Sequence, residues 1–105
     1  MSLNAAFSAL ADPTRRSLLE RLEAGEQTLS ELASPLPISL MAVQKHVRVL
    51  ERAELVTTYK MGRNRHVRLR REGLQQAAEW VQDAEARWNA AFERLAEVLE
   101  DEKSP

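Results

Sequence analysis

The side chains with the clearest chemistry in this 105-residue chain are cations gathered in its middle. Residues 45–71 carry nine Lys or Arg and two Asp or Glu, whereas residues 1–44 carry three and five, and residues 72–105 carry three and nine. The formal net charge of −1 conceals this asymmetry. A basic segment inside an otherwise acidic chain is typical of a surface that binds a polyanion.

The residues that could support catalysis or metal binding are few. The chain has no cysteine, which excludes disulfides, thiolate ligands and thiol nucleophiles. His46 and His66 are separated by twenty residues, and neither has a histidine or carboxylate one helical turn away. Glu79, Asp83 and Glu85 fit a solvated helix face better than a metal site. We therefore expect no enzyme, no metal and no cofactor.

Length and hydropathy predict one domain that is not inserted in a membrane. The chain has the size of a single domain, with 44% hydrophobic and 30% charged residues. No apolar run approaches the ~20 residues that span a bilayer. The first residues lack the basic and apolar regions of a signal peptide, so a cytoplasmic location is expected.

Helices must position these cations. The spacing of apolar residues and the capping residues predict the first two helices of the chain. Apolar residues recur every three or four positions over residues 3–10, which predicts a short helix. Asp12 can accept from free N–H groups at the start of the next helix, and Pro13 suits its first position. Gly25 is a natural stop, so the second helix is predicted over about 13–24.

Two further helices follow, separated by a proline-containing turn. Thr28 and Glu31 have the spacing of a capping box, which begins a short third helix. Prolines in residues 34–37 end it. Ser39 then caps a fourth helix that runs to about Arg52.

A β-hairpin and a long helix complete the chain. Residues 56–59 are β-branched or aromatic, residues 67–70 alternate apolar with Arg, and residues 61–64 have turn chemistry. Apolar residues then recur at three- and four-residue steps over residues 72–100. The fold class is therefore mostly α with a small β-hairpin.

This order of elements predicts a winged helix-turn-helix domain over residues 1–105, with the helix-turn-helix at 28–52 and the wing at 55–70. Val43, Val47 and Leu50 share one face of the fourth helix and should pack inside. The other face suits a DNA groove, because Gln44 can bond adenine and the cations can reach guanine or phosphate. The candidate DNA-binding residues are Ser39, Met41, Ala42, Gln44, Lys45, His46 and Arg48 in the recognition helix, and Lys60, Arg63, Arg65 and Arg68 in the wing.

Several segments resemble the ArsR/SmtB-type winged-helix repressors. These are Phe-Ser-Ala-Leu-Ala-Asp-Pro-Thr-Arg-Arg at 7–16, Thr-Leu-Ser-Glu-Leu-Ala at 28–33, the recognition-helix segment at 42–56, and Gly62-Arg63 in the wing turn. The resemblance runs from about residue 7 to 99 and implies a homodimeric repressor that blocks a promoter. Gln44 replaces a frequent serine of that family, and Glu54 replaces a frequent glycine that ends the helix.

Many members of that family sense metals, through cysteines near the recognition helix or through Asp and His pairs on the final helix. Here cysteine is absent and the helix from Glu72 contains no histidine. The resemblance therefore points to a branch that does not sense metals. His46 is interpreted as a phosphate-binding or packing residue.

The final helix is too long for its own domain. It would extend ~43 Å, whereas a 100-residue globule has a radius of gyration of ~13 Å. Large apolar side chains on it call for a cover, which a second copy can provide, although they could also belong to the core of a monomer. The candidate dimer contacts are Leu3, Phe7, Leu10, Trp80, Trp88, Phe92, Leu95 and Leu99.

The sequence is compatible with two functions. The first is a homodimeric, metal-independent regulator that binds an inverted-repeat operator in double-stranded DNA, since a symmetric dimer presents two recognition helices ~34–36 Å apart. The second is a winged-helix interaction module whose basic face binds an acidic protein. Preference for one duplex sequence, together with steep salt dependence, distinguishes the first from the second. The residues do not identify an operator or a small-molecule effector.

Overall fold

The computed structural model describes residues 2–103, and side chains through residue 101. It confirms a mostly helical fold with a small antiparallel sheet and a long C-terminal helix. The elements in chain order are α1 (Leu3–Leu10), α2 (Pro13–Leu22), β1 (Gln27–Thr28), α3 (Leu29–Ala33), α4 (Leu40–Arg52), β2 (Val56–Met61), β3 (Asn64–Leu69) and α5 (Arg71–Lys103).

The helix starts follow the predicted caps. The Asp12 carboxylate accepts from the Arg15 N–H at 3.0 Å, and the Ser39 hydroxyl accepts from the Ala42 N–H at 3.1 Å. Thr28 and Glu31 form both bonds of the capping box. Each cap satisfies a backbone donor that its helix cannot pair internally, so these starts are fixed by local sequence.

The sheet has three strands, in the order β1-β3-β2, rather than the two strands predicted. The strand missing from the prediction is β1, which pairs with β3. In this pairing Gln27 lies opposite Val67, and Thr28 lies opposite His66. Thr28 also caps α3. The sequence signalled only that cap, because a two-residue strand is too short for an alternating pattern.

The helix ends differ slightly from the prediction. α2 ends at Leu22, two residues early, and α5 extends beyond residue 100 to Lys103. α4 ends at Arg52 as predicted, and Glu54 adopts the left-handed conformation with φ of 61°. The Leu55 N–H bonds the Leu50 carbonyl at 2.9 Å. Glutamate thus occupies the turn position that glycine favours at a helix end.

The core lies between α1, α2, α3, α4 and the inner face of the sheet. Val43, Val47 and Leu50 are buried as predicted, against Leu18 and Leu32 among others. The first turns of α5 close this core, but its side chains from residue 85 to 101 are all exposed. The molecule consequently measures 76 Å along its longest axis and 27 Å and 22 Å along the others.

Candidate nucleic-acid interface

The outward face of α4 presents polar and cationic side chains to solvent. Burial of Val43, Val47 and Leu50 turns the opposite side of the helix outward, so Met41, Lys45 and Arg48 are exposed. Ala42 and Gln44 are partly buried at the edges of this face, and the capping Ser39 is exposed at its start.

A cleft of about 320 Å³ separates this face from the wing. Gln44 lines it from α4, Ser30 from α3, and three cations line it from the hairpin. Lys60 lies opposite Arg65 across the two strands. The cleft thus combines an amide that can read a base edge with a group of positive charges. Its lining residues are Thr28, Leu29, Ser30, Leu40, Gln44, Lys60, Arg63, Asn64 and Arg65.

Arg65 is connected to the recognition helix by a chain of hydrogen bonds. Its guanidinium donates to the Thr58 hydroxyl at 2.8 Å, and that hydroxyl donates to the Glu51 carboxylate. The wing is therefore fastened to the C-terminal half of α4. Sequence reasoning did not identify Glu51 or Thr58, because only the strand register brings them beside Arg65.

Arg68 does not join this cleft. Residues 65, 67 and 69 share one face of β3, and Val67 is buried in the core, so Arg68 belongs to the other face. It lies with Arg70 and Arg71 around a separate hollow beside the start of α5. Arg68 was predicted among the DNA-binding residues of the wing, but the cations of the hairpin and of the residues after it divide between these two surfaces.

The comparisons with known proteins identify the family and the fold of this chain. Residues 10–59 match the helix-turn-helix domain family. The chain is 38% identical to the HTH-type transcriptional regulator Rv2034 of Mycobacterium tuberculosis over 97 aligned residues. The alignment covers 92% of this chain and 88% of Rv2034. It is 30% identical to the transcriptional repressor SdpR of Bacillus subtilis, over 75% of this chain and 88% of SdpR.

A crystal structure of an ArsR family transcriptional regulator superposes with a TM-score of 0.79 and 39% identity, over 83% of this chain and 96% of that one. The chain belongs to the ArsR/SmtB family. It is accordingly a DNA-binding transcriptional regulator of the winged helix-turn-helix type. These relatives are regulators rather than enzymes.

In this ArsR/SmtB member, His46 faces the junction of α1 and α2 rather than the outward side of α4. Its Nδ1 lies 3.4 Å from the Arg15 guanidinium and 3.9 Å from the Asp12 carboxylate. Arg15 also donates to the carbonyls of Ser8 and Ala9. The backbone N–H of Arg15 holds the pKa of Asp12 below its usual value. Of the two roles predicted for His46, this position favours packing.

His66 lies on the outer face of the wing. Its ring stacks on Tyr59 with centroids 5.0 Å apart, and its Nδ1 lies 3.3 Å from the Glu26 carboxylate. The Tyr59 hydroxyl donates to the same carboxylate, which raises the pKa of Tyr59. Across residues 2–101, no three His, Asp or Glu side chains converge as metal ligands would.

The residues predicted at a dimer contact occupy α1 and the projecting part of α5. Phe7 meets Trp80 edge to face, with centroids 5.6 Å apart, and Leu3 lines a hollow together with both rings. Leu10 is partly buried and packs against the hydrophobic core instead. Beyond Trp80 on α5, Trp88 is 64% exposed and stacks on Phe92, which is 60% exposed. Leu95 and Leu99 continue this exposed apolar face. No helix within residues 2–103 has the length and apolar character to cross a bilayer.

Proposed function

We propose that this protein is a homodimeric repressor that binds an inverted-repeat operator in double-stranded DNA and works without a metal ion. The observation that carries the proposal is the outward face of α4, with Gln44, Lys45 and Arg48 next to the cationic cleft of the wing. A helix with this face fits the major groove, and the wing then lies along the adjoining backbone. One domain then contains three functional parts: the helix-turn-helix at 28–52, the wing at 55–70 and the dimerisation helix at 72–100.

The contacts divide by chemistry. Gln44 reads adenine, since its amide matches the N6 and N7 groups. Lys45 and Arg48 reach guanine or phosphate, and Ser39 with the free N–H groups at the start of α4 receives a phosphate. Lys60 and Arg63 hold the backbone from the wing. Arg65, tied to Thr58, holds the wing in register with α4 while adding its charge to the cleft.

Gln44→Ala and Arg63→Ala are expected to weaken DNA binding in different ways. Loss of the Gln44 amide removes one base contact, so preference at one base pair per half-site falls by about tenfold while the salt slope is unchanged. Loss of Arg63 removes a phosphate contact, so all sequences weaken alike and the slope of log K against log salt decreases by about one. Titration of specific and scrambled duplexes at several salt concentrations measures both quantities.

Arg68→Ala is the matched control for Arg63→Ala, because it removes the same charge from the hollow beside α5 rather than from the cleft. It should change the salt slope less than Arg63→Ala does. Equal effects of Gln44→Ala and Arg63→Ala on every sequence would contradict the division into reading and positioning residues.

The projecting half of α5 supports the homodimer. Its exposed apolar side chains, of which Trp88 and Phe92 are the largest, have no cover within residues 2–101. A two-fold partner would cover them and bring two copies of α4 to successive turns of one duplex, ~34–36 Å apart. Selection from random duplexes should then return an inverted repeat. A set of bound duplexes with no common sequence would instead favour an interaction module for an acidic protein.

Repression is proposed by analogy with the SdpR repressor and because a bound dimer would occupy the DNA of its operator. A dimer seated on an operator excludes other proteins from that stretch of DNA. A reporter under a promoter that contains the selected operator should therefore lose expression when the protein is present.

The purified protein is expected to carry no stoichiometric metal. The chain contains no cysteine, and both histidines lie beside carboxylates that already serve other groups: Asp12 caps α2, and Glu26 accepts from Tyr59. Elemental analysis after dialysis should find much less than one ion per chain, and a chelator should leave DNA affinity unchanged. About one tightly bound zinc per chain would overturn the metal-independent assignment.

A further inference from the structure

The start of α4 carries exposed apolar side chains at the place where a polar surface is expected. Met41 is 68% exposed, Leu40 is 50% exposed, and Ile38 just before the helix is 36% exposed. Most other large exposed apolar residues among residues 2–101 lie on α5, where a partner helix explains them. The apolar surface at α4 therefore needs an explanation of its own.

The geometry of α4 places Met41 at the centre of the outward face. At 3.6 residues per turn, Met41 points about 160° away from the buried Val43. Gln44 and Lys45 follow it one turn later, on either side of the same stripe. Leu40 stands one turn before Gln44 and lines the cleft with it. The amide proposed to read adenine is thus bordered by apolar side chains on its N-terminal side.

Only one base exposes an apolar group in the major groove. Thymine carries a C5-methyl there, whereas the edges of adenine, guanine and cytosine offer hydrogen-bond donors and acceptors. An apolar side chain one helical turn from Gln44 would meet the base pair next to the one that Gln44 reads. Contact with a thymine methyl buries apolar surface on both partners, which no other base offers to the same extent.

We propose that Met41 is a specificity residue that recognises the C5-methyl of a thymine in each operator half-site, next to the adenine read by Gln44. This inference rests on the proposed DNA-binding function and extends it to the sequence that is bound. The half-site accordingly contains at least two adjacent A·T pairs. The Leu40 side chain forms the neighbouring wall of the same apolar contact.

The test uses deoxyuridine, which differs from thymidine by this methyl group alone. The full-length protein is titrated with its selected operator and with duplexes in which each thymine in turn is replaced by uracil. At one position per half-site, uracil should lower the affinity by about fourfold, as expected for removal of one buried methyl. Met41→Ala should bind the thymine and uracil duplexes equally at that position.

Met61→Ala is the matched control, because Met61 is 61% exposed but lies at the tip of the wing. It should retain the fourfold ratio. The inference is overturned if no uracil position matters for the wild-type protein, or if Met41→Ala keeps the full ratio. It is also overturned if Met41→Ala changes the oligomeric state in solution, since the apolar surface at the start of α4 would then be a contact between protein chains. Failure to select any operator would instead contradict the proposed function itself.

Discussion

Gly73→Ala should destabilise this protein by about 3 kcal/mol, although the same change in an ordinary helix is stabilising. Gly73 is buried in the first turn of α5, against the turn that ends α4. An added Cβ would lie 3.0 Å from the carbonyl carbon of Glu54 and still nearer its oxygen. Because both partners are backbone, relief requires α5 to move away from α4, and the Leu55 side chain would be separated from its neighbours as well.

Urea denaturation at a fixed protein concentration measures this effect, and the thermal midpoint should fall by more than about 10 °C. Gln76→Ala is the matched control, since it places an alanine at an exposed position of the same helix. It should change the unfolding free energy by less than about 0.5 kcal/mol. A Gly73→Ala protein at least as stable as the parent would show that the two backbones are not in close contact.

Gly73 also illustrates which features of the fold the sequence could not predict. Its environment is created by Glu54, nineteen residues earlier, whose left-handed backbone conformation turns the chain between α4 and β2. The caps at Asp12, Thr28 and Ser39 were predicted because each joins groups three residues apart. Strand β1 was missed because its two residues gain their pairing only when β3 lies beside them.

The same distinction applies to the candidate interface. The outward face of α4 could be predicted, since helical periodicity alone separates Gln44, Lys45 and Arg48 from the buried valines. The bonds that join Arg65, Thr58 and Glu51 could not, because they depend on how the hairpin docks on α4. The opposite orientations of Arg65 and Arg68 could have been predicted from the sequence, because residues three apart on a strand lie on opposite faces.

Trp88→Glu should convert the protein to a monomer and lower its affinity for the full operator by about 100-fold or more. Trp88 is the most exposed of the large apolar side chains on α5 and lies near the start of the exposed segment 85–101. In the proposed dimer its ring is covered by the partner, so the substitution removes a large buried surface and leaves a charge in its place. Each half-site would then be bound singly, and the gain from joining two sites would be lost.

Sedimentation at micromolar concentration should give the mass of one chain for Trp88→Glu and of two chains for the parent. Ala90→Glu adds the same charge two residues away, about 200° around the helix from Trp88, and should remain dimeric with unchanged DNA affinity. Binding to a single half-site separates assembly from reading, because Trp88→Glu and the parent should bind it equally. A dimeric Trp88→Glu protein would place the two-fold contact elsewhere, and a parent that is itself monomeric would leave the exposed face of α5 for a different protein.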